Sequence, residues 1–221
     1  MDILAVADIH SRIGYVRRLV EKIGKVNVVV IAGDITNFGN ADFALHIVSL
    51  FQKICRNVLF VPGNCDDPKL TRIGGKNNSI NIHGKYFIVN NIVFLGIGGS
   101  NITPFHTPIE YSENELWNML SKLLNISEVK KYKVKILVSH TPPYNTRLDL
   151  TFLKTHVGSI SIRRAIETLK PKLCICGHIH EARGVDTIGE TVIINPGPLM
   201  RKHYALVRIS ENRVDVELKT L

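Results

Sequence analysis

The sequence predicts an α/β fold in which two β-sheets pack face to face with helices outside. Three observations point to it. Five short runs rich in β-branched residues, DILAVA, NVVVIA, NVLFV, KVKILVS and KLCIC, are apolar almost without interruption, the pattern of strands covered on both faces. Apolar residues recur at helical spacing between the first three runs. Two other stretches, Ile80 to Gly98 and Gly184 to Leu218, hold short strands joined by tight turns with no helical period between them, and read as antiparallel hairpins and meanders. The helix-linked runs are therefore assigned to one sheet and the hairpins to the other.

In chain order, DILAVA leads to a helix marked by Ile13, Val16, Leu19, Val20 and Ile23, and NVVVIA to one marked by Phe43, Ile47, Leu50, Phe51 and Ile54. After NVLFV come turns at His83-Gly84-Lys85 and Asn90-Asn91. Ser112 with Glu115 forms a capping box that opens a helix with Leu116, Leu120, Leu123 and Leu124 on its apolar face. Following KVKILVS, a helix from about Ser159 to Lys170 is stopped by Pro171. KLCIC then opens the last meander, with turns at Ile188-Gly189-Glu190 and Glu211-Asn212-Arg213. With 221 residues, 45% of them hydrophobic, and no Pro/Ser-rich linker, residues 1–221 read as one domain.

The net charge of +9 favours anionic partners such as phosphates, nucleotides or nucleic acid. Lys and Arg are dispersed and form no basic block interleaved with aromatics, so a nucleic-acid partner is not favoured. The four cysteines have no disulfide-framework spacing, the N-terminus MDILAVAD has no basic leader, and no apolar run approaches the ~18 residues of a membrane span. These features predict a cytoplasmic protein with no membrane partner.

Each of the five apolar runs ends directly in a polar cluster: AVADIH, VIAGDIT, VPGNCD, LVSHTPP and CICGHIH. Ligand sites of open α/β sheets lie beyond the carboxyl ends of the strands, so the clusters are predicted to meet. They contribute Asp8, His10, Asp34, Asn64, His140, His178 and His180, a set of carboxylates, imidazoles and one amide oxygen suited to divalent transition metals. Singly, each has an ordinary explanation as a turn residue or helix cap. Their joint placement at strand ends does not.

The segments DIH, GDITN, GNCD, SHTPP and GHIH, in that order, resemble the five motifs of the calcineurin-like metallophosphoesterase superfamily, nearest to its small prokaryotic-type single-domain phosphoesterases and phosphodiesterases. Asn195-Pro196-Gly197 also recurs in relatives, whereas the GDxVDRG signature of the Ser/Thr protein phosphatases is replaced by GDITNFG. The resemblance implies a four-layer α-β-β-α sandwich of two mixed sheets flanked by helices. It implies one metal on Asp8, His10 and His180 and a second on Asn64, His140 and His178, with Asp34 bridging. The ions would be divalent, Mn foremost, with Fe, Ni, Co or Zn as alternatives. The implied activity is hydrolysis of phosphodiesters, and also of phosphomonoesters, of small nucleotide-like substrates through a bridging hydroxide; a homodimer is a family-level expectation. Two alternatives stay open: a nuclease, and a non-catalytic scaffold of the retromer-subunit kind, although a scaffold has no need of all seven ligands.

Asp34, Asn64, Cys65, Asp66 and His106 are the candidate catalytic residues. Cys65 stands where much of the family has a proton-donating histidine, and a thiol of pKa ~8.5 is a poorer acid that carries no positive charge. Asp66 reads as an orienting neighbour. His106, in GGSNITPFHTP, is a candidate for reaching over the site, and His156 in KTHVGS has similar standing; both also read as ordinary loop histidines. His46, His83 and His203 carry no signal. Arg147, Arg163 and Arg164 read as solvated, and Cys55, Cys174 and Cys176 as small buried hydrophobes.

Overall fold

The computed structural model describes residues 1–75 and 78–221. Strands β1 (Asp2–Val6), β2 (Val28–Ala32), β3 (Asn57–Val61) and β4 (Ser79–Asn81) run parallel at the heart of a first sheet. Helices α1 (Ile13–Lys22) and α2 (Ala41–Ser49) make the crossovers between β1, β2 and β3. In the second sheet, β6 (Ile92–Ile97), β9 (Val134–Ser139), β10 (Leu173–Ile175) and β12 (Thr191–Asn195) are parallel, edged by the antiparallel β5 (Lys85–Val89) and β11 (Gly184–Ile188). Its crossovers carry α3 (Glu113–Leu124), α4 (Ser127–Lys131) and α5 (Ile160–Leu169). The chain ends in β13 (His203–Ile209) and β14 (Val214–Thr220), which return to the first sheet as a hairpin beside β1, giving the orders β14-β13-β1-β2-β3-β4 and β11-β12-β10-β9-β6-β5. A two-stranded ribbon, β7 (Ser100–Asn101) with β8 (Glu110–Tyr111), brackets a loop above the sheet ends.

The architecture is the expected four-layer sandwich, but the strands are allotted differently from the sequence reading. The helix-linked runs divide three and two between the sheets, and each sheet gains hairpin strands at its edges. The His83-Gly84-Lys85 turn closes no hairpin; it carries the chain from β4 in the first sheet to β5 in the second. A strand's composition reports burial on two faces, and both sheets bury their central strands equally.

Alternation along each strand builds the layers. Val29 and Ile31 of β2 face α1 and α2, packing with Val16, Leu19, Ile47 and Phe51, while Val28 and Val30 face the other sheet and meet Phe94, Ile136 and Ile175. On the far side, Leu137, Cys174 and Cys176 pack with Leu116, Leu120, Ile162 and Ile166. Cys174, Cys176 and Cys55 are thus buried, as read from the sequence. The capping box of α3 forms as predicted, and α5 runs from its Ser159 cap to a left-handed Lys170 before Pro171. Phe43 departs from its assigned apolar face and is 37% exposed. No described helix is long and apolar enough to cross a membrane.

His83, without apparent role in the sequence, proves structural. Its Nδ1 accepts from the Gly98 amide at 2.8 Å, and burial pushes its pKa down to about 4. A depressed histidine pKa adds stability above the unfolded value of ~6.5, stability that is lost as pH falls through 6.5 toward 4. We expect His83→Gln, which does not titrate, to lose about 2 kcal/mol less than the wild type between pH 7 and 4.5 in urea unfolding. Parallel losses in both proteins would assign the acid sensitivity elsewhere.

Candidate metal centre

The carboxyl ends of β1, β2, β3, β9 and β10 meet at one end of the seam between the sheets, where the backbone is bent sharply. Asp8, His10, Ser11, Asp34 and His178 all have left-handed φ, between 45° and 68°, a conformation non-glycine residues adopt at a cost of ~1 kcal/mol or more each. Cross-loop hydrogen bonds hold these turns. Asp8 N donates to Gly33 O (3.0 Å), His10 N to Asp34 O (2.9 Å) and Ser11 N to Ile35 O (3.1 Å), lacing the ends of β1 and β2 together. Across the seam, the His178 amide donates to both Asp8 carboxylate oxygens at 3.2 Å.

Close approach demands glycine at two places. A Cβ on Gly63 would fall on the backbone nitrogen and Oδ1 of Asp34, and one on Gly33, whose φ is +84°, would strike the His140 ring.

Asp34 lies at the centre. Its Oδ1 accepts from Cys65 N at 2.8 Å and lies 3.5 Å from His140 Nε2, while Oδ2 lies 3.5 Å from His10 Nε2. Burial opposes its charge, but the flanking imidazoles outweigh burial and hold the carboxyl well below the usual range. Asn64 presents Oδ1 to His140 Nε2 at 2.8 Å while its Nδ2 donates to Thr107 Oγ1 at 2.9 Å. Thr107 Oγ1 donates in turn to Glu110 Oε1 at 2.6 Å, a relay that fixes which way the amide points. Burial works against ionised Glu110, yet hydrogen bonds from Thr103 and Thr107 bring its pKa down to about 2. Thr107 and Glu110 escaped the sequence reading; the T-x-x-E spacing was the only trace.

The donor atoms oppose one another in a way that calls for a cation. His140 Nδ1 lies 2.8 Å from the Ala32 carbonyl and must donate to it, which turns Nε2 toward the oxygens of Asn64 and Asp34. Without a metal, a proton fills that gap: burial disfavours it, but Asp34 raises the His140 pKa to about 9. Likewise His10 Nε2 and His180 Nε2 face each other at 3.1 Å, with Asp8 Oδ1 3.5 Å from His180. Three sets, Asp8/His10/His180, Asp8/Asp34/His140 and His10/Asp34/Cys65, bring all their ligand atoms within 4.8 Å of one another. Oxygen and imidazole acceptors converging without a fixed cation fit divalent transition metals.

The sequence model of the calcineurin-like phosphoesterases matches residues 1–182, a span that contains every one of these donors. The chain belongs to that family. An uncharacterized protein of Methanocaldococcus jannaschii is 41% identical over 224 residues, covering 97% of this chain and 94% of its own. The crystal structure of TT1561 from Thermus thermophilus superposes with a TM-score of 0.73 at 18% identity, over 98% of this chain and 97% of that one. A putative 5'-nucleotidase from Staphylococcus aureus gives 0.57 at 11% identity, over 99% of this chain but 52% of its own.

In this calcineurin-like phosphoesterase six of the seven predicted ligands, Asp8, His10, Asp34, Asn64, His140 and His180, are linked through overlapping close contacts, Asn64 through His140. His178 stands beside them, its ring edge-on to that of His140 with centroids 5.0 Å apart, and burial followed by the His140 charge pushes its pKa down to about 4, leaving a neutral ring. Asp66 is fully buried and accepts from Ile35 N, Thr36 N, Thr36 Oγ1 and Gly63 N at 2.7–3.1 Å. It therefore locks the loops after β2 and β3 together. Cys65 comes nearer the donors than a bystander would, and burial, with the charge on Asp34, pushes its thiol far up, so it stays protonated. His106 is exposed, left-handed, and makes no side-chain hydrogen bond among the described residues. Of the two loop histidines it is His156 that is held: its Nδ1 lies 2.7 Å from Oδ1 of the fully buried Asp149, which also accepts from the amides of Asn145, Thr146 and Gly158.

Proposed function

We propose that the protein is a metal-dependent hydrolase of small phosphate esters, with phosphodiesters as the preferred class and phosphomonoesters as secondary substrates. The observation that carries this reading is the convergence of carboxylate, amide and imidazole acceptors around Asp34, the donor chemistry that divalent cations take. Asp8, His10 and His180 would hold one ion, Asn64, His140 and His178 a second, and Asp34 would contact both, with manganese the first candidate. Bound there, divalent ions supply Lewis-acid polarisation of the phosphate and acidify water for attack. Hydrolysis places the water hydroxyl on phosphorus, breaks a P–O bond and delivers a proton to the departing oxygen.

The chain's own residues set the rest. Thr107 and Glu110 keep the Asn64 oxygen turned inward, the Ala32 carbonyl fixes the His140 tautomer, and Asp66 holds the two loops in register. For the departing oxygen, Cys65 offers a thiol, a poorer acid than an imidazolium and one without positive charge. We assign that task to His156, whose Nδ1 is taken by Asp149 and whose ring lines the same cavity as His178.

The direct test is metal analysis of the purified protein, followed by manganese-supplemented assays with bis(p-nitrophenyl) phosphate and p-nitrophenyl phosphate. Stoichiometric metal with cleavage of the diester supports the reading; bound metal with no cleavage of either ester overturns it. For the proton source, His156→Gln should lower kcat on alkyl esters ~100-fold while changing p-nitrophenolate release less than about threefold, because a good leaving group needs no acid. Equal losses on both classes would reduce His156 to a packing role, and a selective loss in Cys65→Ser instead would return the task to the thiol.

A further inference from the structure

Next to the donors lies a cavity of about 780 Å³ that shares His178 with them. Its walls come from the loop following β7, the segment Thr151–Gly158 and the start of α5. Apolar side chains dominate. Ile102, Phe105, Leu153 and Ile160 are 65%, 80%, 87% and 59% exposed, and they gather about this one opening, where scattered exposure would be unremarkable.

The charges matter as much. Among the described residues no lysine or arginine lines the cavity, although the chain carries a net +9. Its two carboxylates are already engaged: Glu113 accepts from Ser161 N (2.7 Å) and Ser159 Oγ (3.0 Å) at the start of α5, and Glu181 accepts from Phe152 N (3.1 Å). Basic side chains gather instead in a separate groove with Lys22, Lys25, Arg208 and Arg213. A polyanionic chain entering the cavity would thus meet two carboxylates and, besides His156 and His178, no basic side chain among the described residues, whereas an uncharged apolar group would exchange water for hydrocarbon.

We infer that this cavity is the subsite for an uncharged, apolar alkyl or aryl group carried on the substrate's phosphate, so that the substrate has a single phosphate and an apolar body. The inference rests on the hydrolase reading above, since the donors must anchor the phosphate for its substituent to reach the cavity. It argues against the nuclease alternative, because no lysine or arginine among the described residues lines the opening.

The test is calorimetric titration of the manganese-supplemented protein with methylphosphonate and phenylphosphonate, which share a headgroup and are not hydrolysed. Phenylphosphonate should bind at least ~10-fold more tightly, the scale expected for burying one ring in a preformed apolar site. Leu153→Asp, at a position exposed enough to leave folding alone, should erase that advantage and leave the methylphosphonate Kd unchanged. Equal Kd values in the wild type, or an advantage that survives Leu153→Asp, would overturn the inference while leaving the hydrolase reading standing. If neither phosphonate binds and no ester is cleaved, the hydrolase reading falls and takes the inference with it.

Discussion

Asp34→Asn should lower metal-dependent ester cleavage by at least ~1,000-fold and the retained metal per chain with it, while far-UV circular dichroism stays that of the wild type. The substitution is isosteric, and an amide oxygen can still accept from Cys65 N, the 2.8 Å bond that seats the side chain. What disappears is a buried negative charge flanked by His10 and His140 at 3.5 Å each. That charge, on an almost fully buried carboxylate, is what would let the surrounding nitrogens tolerate a cation. Full activity in the variant, measured with saturating manganese, would end the two-ion reading.

The second large effect is expected at a residue that never meets the substrate. Asp66→Asn replaces a carboxylate that receives three backbone amides and one hydroxyl with a group that must itself donate, so its nitrogen opposes either Ile35 N and Gly63 N or Thr36 N. An unsatisfied buried donor costs about 1–3 kcal/mol, and here two opposed donors share the site. We expect thermal unfolding at a lower temperature, a kcat reduced ~10-fold or more, and weaker manganese affinity, because Asp34 and Asn64 ride on the loops that Asp66 joins. Its KM should change little, which separates a positioning defect from lost substrate contact. An unchanged Tm together with an unchanged kcat would show that the loops hold their places without it.

What could be read from residues alone was governed by how specific the local chemistry is. DIH, GDITN, GNCD, SHTPP and GHIH stand out because acids and imidazoles rarely follow directly on fully buried strands, and the structure gathers the seven predicted ligand residues at one end of the seam. The α3 capping box was equally plain. Strand partnership was not, since Val28–Ala32 and Val134–Ser139 have the same apolar texture and only the crossovers decide which sheet each joins. Nor could the left-handed backbone at Asp8 and His10 be foreseen, because neither residue announces positive φ as glycine does. His106 and His156 were indistinguishable as loop histidines. A buried Asp149 separates them, and it closes a T-x-x-D capping box with Thr146 that the sequence reading passed over.

The donors sit on opposite sides of a seam, and some that touch are 170 residues apart, as His178 and Asp8 are. During synthesis the first sheet's donors therefore emerge long before their partners, so no growing chain can chelate a metal through the whole set. Closing the seam is a long-range event of the kind that folds slowly. Any choice among competing metals would thus be deferred to the finished protein, where geometry and not first encounter would make the selection.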